Sequence, residues 1–256
     1  MNLGFIGTGA LTSAIVTGLR ATPAVPCSIL LSPRNEQVAS GLATRFPEVR
    51  VAHDNQAVLD ESDVVLLALR PPTALVVVPG LRFHPSHHVI SLIAPLPLGR
   101  IAELVRPAGK VTKAVPVPPV ANREGATLIY PPDSATSALF ARLGEVLEVS
   151  KEAELVALTT ATATFAGYFQ YLATIQAWLE TQGVSPATAR RYVAALFSGL
   201  AGASNRAPST SFGDLAGDYA TKGGINEQLL EHLTARGLFD GLQGGLDAVQ
   251  RRITHG

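Results

Sequence analysis

The chain has 256 residues, and its 47% hydrophobic content suffices for one large domain or two domains of ordinary size. Its 20 basic and 20 acidic residues cancel, so charge gives no reason to expect nucleic acid or an acidic membrane surface as a partner. The single cysteine, Cys27, excludes an intramolecular disulfide framework and a zinc site made of several cysteines, and we expect no metal.

The first fourteen residues carry the most informative pattern. An apolar strand at 3–6 runs into Gly7-Thr8-Gly9 and then into an apolar helix. Gly7 permits a tight turn, Gly9 permits close approach of a pyrophosphate, and the helix N-terminus attracts that anion. The pattern predicts a dinucleotide-binding unit, although Thr12 replaces the last glycine of the full fingerprint and a plain strand-to-helix turn is the alternative. The predicted contacts at this corner are Gly7, Thr8, Gly9, Ala10 and Leu11.

The residues at the end of the second predicted strand, 28–31, indicate which dinucleotide the protein binds. An NAD site usually has a carboxylate there that binds the ribose hydroxyls, but no acid occurs before Glu36. Ser32, Arg34 and Asn35 can instead donate to a 2′-phosphate, which favours NADP(H). A solvated turn is the alternative, and nothing favours a flavin.

Strand-like and helix-like segments alternate through the first 130 residues. This alternation predicts an α/β fold, with a Rossmann-like, doubly wound parallel sheet in a domain that spans 1–150. The predicted strands are 3–6, 28–31, 50–52, 64–69, 89–92, 111–115 and 126–129. The predicted helices between them are 11–21, 36–46, 73–81 and 98–105.

The second half, 151–256, is predicted to be all-helical, with helices at 152–181, 186–204, 226–236 and 238–252. The apolar faces of these helices exceed what one small bundle can bury, which predicts a homodimer. No apolar segment approaches the roughly 20 residues of a membrane span, and the first apolar run lacks the basic flank of a signal peptide. We therefore expect a cytoplasmic protein.

Ligand contacts in an open parallel sheet come from the loops after the carboxyl ends of its strands. Arg70 and Pro71 follow the fourth strand, Ala94 lies in the turn after the fifth, and Pro116 lies in a rigid corner after the sixth. Asn55 opens a helix after the third strand, either as its cap or as an adenine contact.

These positions match a known family. The whole chain resembles pyrroline-5-carboxylate reductase, which couples an NADP-binding domain to a helical dimerisation domain. The resemblance rests on Ile6-Gly7-Thr8-Gly9, Ala14-Ile15, Gly18-Leu19 and the segments 62–71, 89–94 and 218–224.

The resemblance implies a reductase of a cyclic imino acid. By similarity, the cofactor contacts are Gly7, Gly9, Ser32, Arg34, Asn55, Ala68 and Arg70. The Gly223-Gly224 turn and the following helix N-terminus, including Ile225, would hold a substrate carboxylate with help from a partner subunit. Reduction of a protonated C=N mainly requires alignment with the nicotinamide and exclusion of water.

The chain departs from the family at the substrate. Its 113–117 segment keeps a cation and the proline but has lost an asparagine, and Asn226 stands where the family carries a hydroxyl. Lys113, Thr221 and Asn226 are the predicted catalytic residues, although Lys113 could equally pair with a surface acid. Pro116, Tyr168 and Lys222 are predicted substrate contacts; Lys222 could salt-bridge a second carboxylate or be solvated, and Tyr168 could belong to a core or dimer interface.

Three other functions stay open. A β-hydroxyacid dehydrogenase would use a lysine on the long interdomain helix, but 152–181 contains none. An F420-linked NADP oxidoreductase would not need so large a helical half. A sensor that binds NADP without turnover fits the altered substrate motifs. His84, His87 and His88 have no nearby carboxylate in sequence, so we expect them to be exposed and not to bind a metal.

Overall fold

The computed structural model describes residues 2–21 and 27–255. It divides into two compact units, residues 1–159 and 160–256. Each unit is described by itself below. Among the described residues, no helix is both long and apolar enough to cross a membrane.

The first unit is built on one eight-stranded sheet with the order β3-β2-β1-β4-β5-β6-β7-β8. Strands β1 to β6 are parallel, β7 runs antiparallel to β6, and β8 is parallel to β7. The strands are β1 (Asn2–Ile6), β2 (Ser28–Leu31), β3 (Val49–Val51), β4 (Val64–Leu67), β5 (His88–Ser91), β6 (Lys110–Val115), β7 (Ala126–Tyr130) and β8 (Glu145–Glu148). The predicted doubly wound α/β fold is confirmed, and β8 is a strand that the sequence pattern did not predict.

Helices cover both faces of this sheet, as its residue pattern requires. Along β4, Leu66 packs into the apolar cluster on one face, whereas Val65 and Leu67 pack into the cluster on the other. Both faces are therefore buried, which is typical of a central parallel strand. The helices are α1 (Ala10–Arg20), α2 (Glu36–Arg45), α3 (Asn55–Asp60), α4 (Pro71–Val77), α5 (Leu98–Leu104) and α6 (Ser134–Phe140), with 3₁₀ turns at Val78–Gly80 and Pro118–Asn122.

Helix α1 approaches the 3₁₀ turn Pro118–Asn122 at a glycine. A Cβ added to Gly18 would lie 2.2 Å from the main-chain oxygen of Val120, so no other residue fits without a shift of the backbone. Close packing of the first helix thus depends on Gly18, while position 12 accommodates a threonine.

The histidines before β5 are not all exposed, which corrects the expectation from sequence. His87 is buried, and the His88 side chain is only 12% exposed, with Nε2 3.1 Å from Thr112 Oγ1 and 3.7 Å from Asp133 Oδ1. Burial lowers the pKa of His88, which favours the neutral ring. Burial opposes ionisation of Asp133, but bonds from Lys110 and Thr136 outweigh it and lower its pKa to about 2. This cluster ties the beginnings of β5 and β6 to α6.

Helix α7 (Glu152–Ala161) carries the chain into the second unit, where the predicted single helix 152–181 is wrong. Helix α7 ends at Ala161, and α8 (Thr164–Thr181) begins after a two-residue turn. The Thr164 hydroxyl donates to the Ala161 carbonyl at 2.7 Å, so a side chain competes for a helical acceptor at the break. The remaining helices are α9 (Pro186–Asn205), α10 (Phe212–Tyr219), which was not predicted, α11 (Ile225–Ala235) and α12 (Leu238–His255).

Candidate active site

The glycine corner has the geometry that a phosphate-binding turn requires. Gly7 has φ +102°, and a Cβ there would lie 2.4 Å from the Ala68 carbonyl oxygen, so both its conformation and its surroundings demand glycine. Gly9 caps α1 in an extended conformation, and no described heavy atom lies within 4 Å of the position of an added Cβ. Gly7 therefore serves the fold, whereas Gly9 leaves room for a ligand at the N-terminus of α1.

Three hydroxyl groups hold this corner. The Gly7 N–H donates to Ser32 Oγ at 2.8 Å, and the Thr8 hydroxyl donates to the Ser32 carbonyl at 2.8 Å. The Thr12 hydroxyl donates to the Gly7 carbonyl at 2.7 Å, which explains why threonine suits the last fingerprint position. Ser32 is 1% exposed, so its hydroxyl supports the turn and is not placed to bind a 2′-phosphate as the sequence predicted.

In the loop between β2 and α2, the exposed polar residues are Arg34 and Asn35. The Asn35 side chain caps α2 by accepting a bond from Val38 N at 3.5 Å, which leaves Arg34 as the exposed cation of this loop. Asn55 does not cap α3, because Asp54 accepts the capping bond from Ala57 N at 2.8 Å. Of the two roles suggested for Asn55, only the ligand contact stays open as a prediction.

The loop after β4 lies beside the glycine corner. The Ala68 N–H donates to the Ile6 carbonyl at 2.8 Å, so the ends of β1 and β4 stay paired up to the turn. Arg70 is the exposed N-cap residue of α4, and Pro71 is its first residue. The strand order reverses between β1 and β4, and ligands of such sheets bind in the crevice at this point.

Lys113 is almost fully buried and holds the loop after β5. Its Nζ lies 3.0 Å from the Ala94 oxygen, 2.7 Å from the Leu96 oxygen and 3.5 Å from Glu152 Oε1. An ammonium group has three N–H donors, and these three acceptors account for them. Burial lowers the pKa of Lys113, and Glu152 opposes that shift. This arrangement suits a structural cation better than the predicted catalytic residue, and the alternative of a pairing with an acid is met by Glu152. Pro116, three residues later, is also buried.

In the second unit, the turn before α11 already contains a carboxylate. Gly223 has φ +74°, and its N–H donates to Glu227 Oε2 at 2.6 Å. The Gly224 N–H donates to the Thr221 carbonyl at 2.8 Å. Two of the three main-chain donors predicted to bind a substrate carboxylate therefore have partners within the chain, and Ile225 N–H is the third.

The predicted polar side chains of this turn are exposed: Thr221, Lys222 and Asn226. The Asn226 amide donates to the Tyr219 carbonyl at 3.2 Å, so it fastens α11 to the end of α10. Tyr168 on α8 is 47% exposed and makes edge-to-face contacts with Phe169 and Phe197. Glu227 was missed in the sequence, although a glutamate three residues after a helix N-cap, here Gly224, is a recognisable signal.

The open space around Gly9 can be tested by substitution. We expect Gly9→Ser to weaken NADPH binding at least roughly tenfold because the added side chain occupies the space a pyrophosphate would approach. Serine is a favoured N-cap residue, so the midpoint of chemical denaturation should not fall. Gly41→Ala, at another open position within α2, is the matched control and should leave NADPH affinity unchanged. Equal affinity of Gly9→Ser and wild type in calorimetric titration would contradict this assignment.

The chain is similar to known proteins in both sequence and structure. Residues 2–95 match the family model "NADP oxidoreductase coenzyme F420-dependent". Pyrroline-5-carboxylate reductase of Vibrio alginolyticus is 25% identical over an alignment 260 residues long, which covers 98% of this chain and 95% of that protein. Its counterpart from Streptococcus pyogenes superposes with a TM-score of 0.85 at 22% identity, over 99% of this chain and 98% of that chain. The Plasmodium falciparum enzyme, solved with NADP bound, gives 0.85 at 17% identity over 99% and 97%.

The structural matches show that the fold is shared, and the curated relative extends the similarity to the sequence of nearly the whole chain. Relatives of this kind indicate an oxidoreductase. Together, these findings show that the chain is similar to pyrroline-5-carboxylate reductases in sequence over nearly its whole length, and that it shares their fold.

Proposed function

We propose that this protein is an NADPH-dependent reductase that acts on the C=N bond of a cyclic imino acid. The observation that carries the proposal is the glycine corner at the strand-order reversal, with the exposed Arg34 at the end of β2. A guanidinium is well suited to a 2′-phosphate, and the site lacks the acidic residue that an NAD ribose would prefer. The NADP bound to the Plasmodium falciparum relative supports the same choice.

For the reduction of a protonated imine, the protein must position the two reactants more than it must transfer a proton. NADPH, when bound, supplies the hydride, and a protonated imine is already electrophilic. The corner at Gly7–Gly9 holds the pyrophosphate against α1, and Arg34 binds the 2′-phosphate. Near the substrate, Thr221 and Asn226 provide the polar side chains, while the α11 N-terminus favours a negative group.

Two alternatives need different chemistry. A β-hydroxyacid dehydrogenase would need its catalytic lysine on α7 or α8, and neither helix contains one. A sensor that binds NADP without turnover requires only the corner and Arg34. Turnover therefore decides between the proposed reductase and the sensor. A cytoplasmic location stays a prediction from the sequence.

The first test is NADPH oxidation, followed at 340 nm, with a panel of cyclic imino acids, neutral cyclic imines and keto acids. We expect imines to be reduced and keto acids not. Arg34→Ala should raise KM for NADPH roughly 10- to 100-fold, because one charge-assisted phosphate contact is lost, and should leave KM for NADH unchanged. Arg45→Ala, at the other end of α2, is the matched control.

Three results would contradict the proposal in different ways. Binding of NADPH without turnover of any imine would favour the sensor. Preferential reduction of keto acids would favour the dehydrogenase. Equal effects of Arg34→Ala on the two cofactors would remove the assignment of Arg34 to the 2′-phosphate.

Glu227 bears on the substrate, because a substrate carboxylate at the start of α11 must compete with it. We expect Glu227→Gln to lower KM for carboxylated imines up to roughly fivefold, since a negative charge at a helix N-terminus contributes up to about 1 kcal/mol. KM for neutral imines should not change. Glu231→Gln, one turn later on the same helix and exposed, is the matched control. An unchanged ratio of the two KM values would show that the substrate carboxylate binds elsewhere.

We also propose that the second unit pairs with a second copy of this chain. Among its described residues, only Ala189 and Val193 are buried apolar side chains, whereas Phe169, Trp178 and Tyr192 are each at least 60% exposed. So much exposed aromatic surface on α8 and α9 is typical of an association surface.

The single tryptophan, Trp178, reports on this pairing without mutation, because it is 61% exposed in the isolated chain. We expect light scattering to give a dimer mass. Emission of Trp178 should be blue-shifted at micromolar concentration and should shift to the red as the dimer dissociates on dilution. A monomer with unchanged emission over the whole dilution range would contradict the proposal.

A further inference from the structure

In the proposed complex with NADPH, the strands on the two sides of β1 face different halves of the dinucleotide. The pyrophosphate lies at the corner after β1, and Arg34 places the adenosine half at the end of β2 on one side. Because β4 and β5 lie on the other side of β1, the nicotinamide half must extend over their carboxyl ends. The loop at 92–97, which follows β5, therefore lies on the nicotinamide side of that proposed complex.

This loop is anchored through both its side chains and its main chain. The methyl group of Ala94 packs against an apolar cluster that includes Val115, whereas Leu96 packs against a second cluster under α5. Both residues direct their carbonyl oxygens to Lys113 Nζ, at 3.0 and 2.7 Å. One ammonium group thus sets the main-chain conformation between two separately packed side chains.

Glu152 completes the anchor from α7. Its Oε1 accepts a bond from the Leu98 N–H, the first residue of α5, at 2.7 Å, and lies 3.5 Å from Lys113 Nζ. A buried ammonium needs acceptors and a counter-charge, and the chain provides them at both ends of the same loop. An apolar residue at position 113 would leave two loop carbonyls and one carboxylate without this donor.

We propose that Lys113 and Glu152 are positioning residues that hold the loop at 92–97 in the conformation against which the nicotinamide ring of NADPH is aligned. The inference rests on the proposed function and adds residues to it that contact neither substrate nor cofactor. It predicts that loss of the anchor affects the nicotinamide half of the cofactor and spares the adenosine half.

The test compares two ligands on the same full-length protein, NADPH and 2′,5′-ADP, which lacks the nicotinamide. We expect Lys113→Met to raise Kd for NADPH roughly tenfold, on the scale of one or two lost charge-assisted bonds, and to leave Kd for 2′,5′-ADP unchanged. The rate of hydride transfer at saturating NADPH should fall roughly 10- to 100-fold, because small misplacements of reacting atoms are costly. Lys113→Arg, which keeps the cation, should restore part of the NADPH affinity and part of the hydride-transfer rate.

Lys110→Met is the matched control. Lys110 is the first residue of the same strand, β6, and pairs there with Asp133, away from the loop at 92–97. It should change neither the ratio of the two Kd values nor the rate of hydride transfer. Glu152→Gln, which keeps an acceptor for Leu98, is the second variant should Lys113→Met fail to fold, and it should shift the ratio in the same direction.

The outcomes are distinct. An NADPH-specific loss in Lys113→Met or Glu152→Gln supports the positioning role. Equal loss of both ligands, or an unchanged ratio, overturns it, since general destabilisation would not distinguish the halves of the cofactor. Failure of the wild-type protein to bind either ligand would instead overturn the proposed function on which the inference rests.

Discussion

The hydrogen bond from the Gly7 N–H to the Ser32 hydroxyl joins the ends of β1 and β2, and the cofactor edge of the sheet depends on it. Gly7 adopts a positive φ and lies against the Ala68 carbonyl, where any Cβ would collide. Three strand ends therefore meet at one residue without a side chain. The direction in which α1 begins, and with it the direction of its dipole, follows from that meeting.

Apolar runs and glycines are local signals, and they were sufficient to predict most strands and helices of the first unit. The buried strands β1, β2 and β4 read as continuous apolar segments and lie within two residues of their predicted bounds. Strand β8 escaped prediction because it is an edge strand that begins and ends with glutamate. The break between α7 and α8 escaped prediction because the sequence there contains no proline or glycine, whereas the structure shows the Thr164 hydroxyl bonded to the Ala161 carbonyl at the break.

The site was predictable to the extent that its residues act alone. The turn at Gly7 and Gly9 could be recognised from spacing, since glycine is needed there for its own conformation. The roles of Ser32, Lys113 and Glu152 could not, because each depends on partners 17 to 54 residues away. Residue type indicated polar chemistry at these positions, but only the fold shows that these polar groups satisfy one another.

The close approach at Gly18 limits how α1 can move. One end of this helix carries the open corner at Gly9, and the other end is pressed against the Val120 carbonyl with no space for even a methyl group. This contact holds the C-terminal half of α1 close against the 3₁₀ turn Pro118–Asn122. A larger residue at position 18 would displace α1 from that turn and, with it, the open first turn at Gly9.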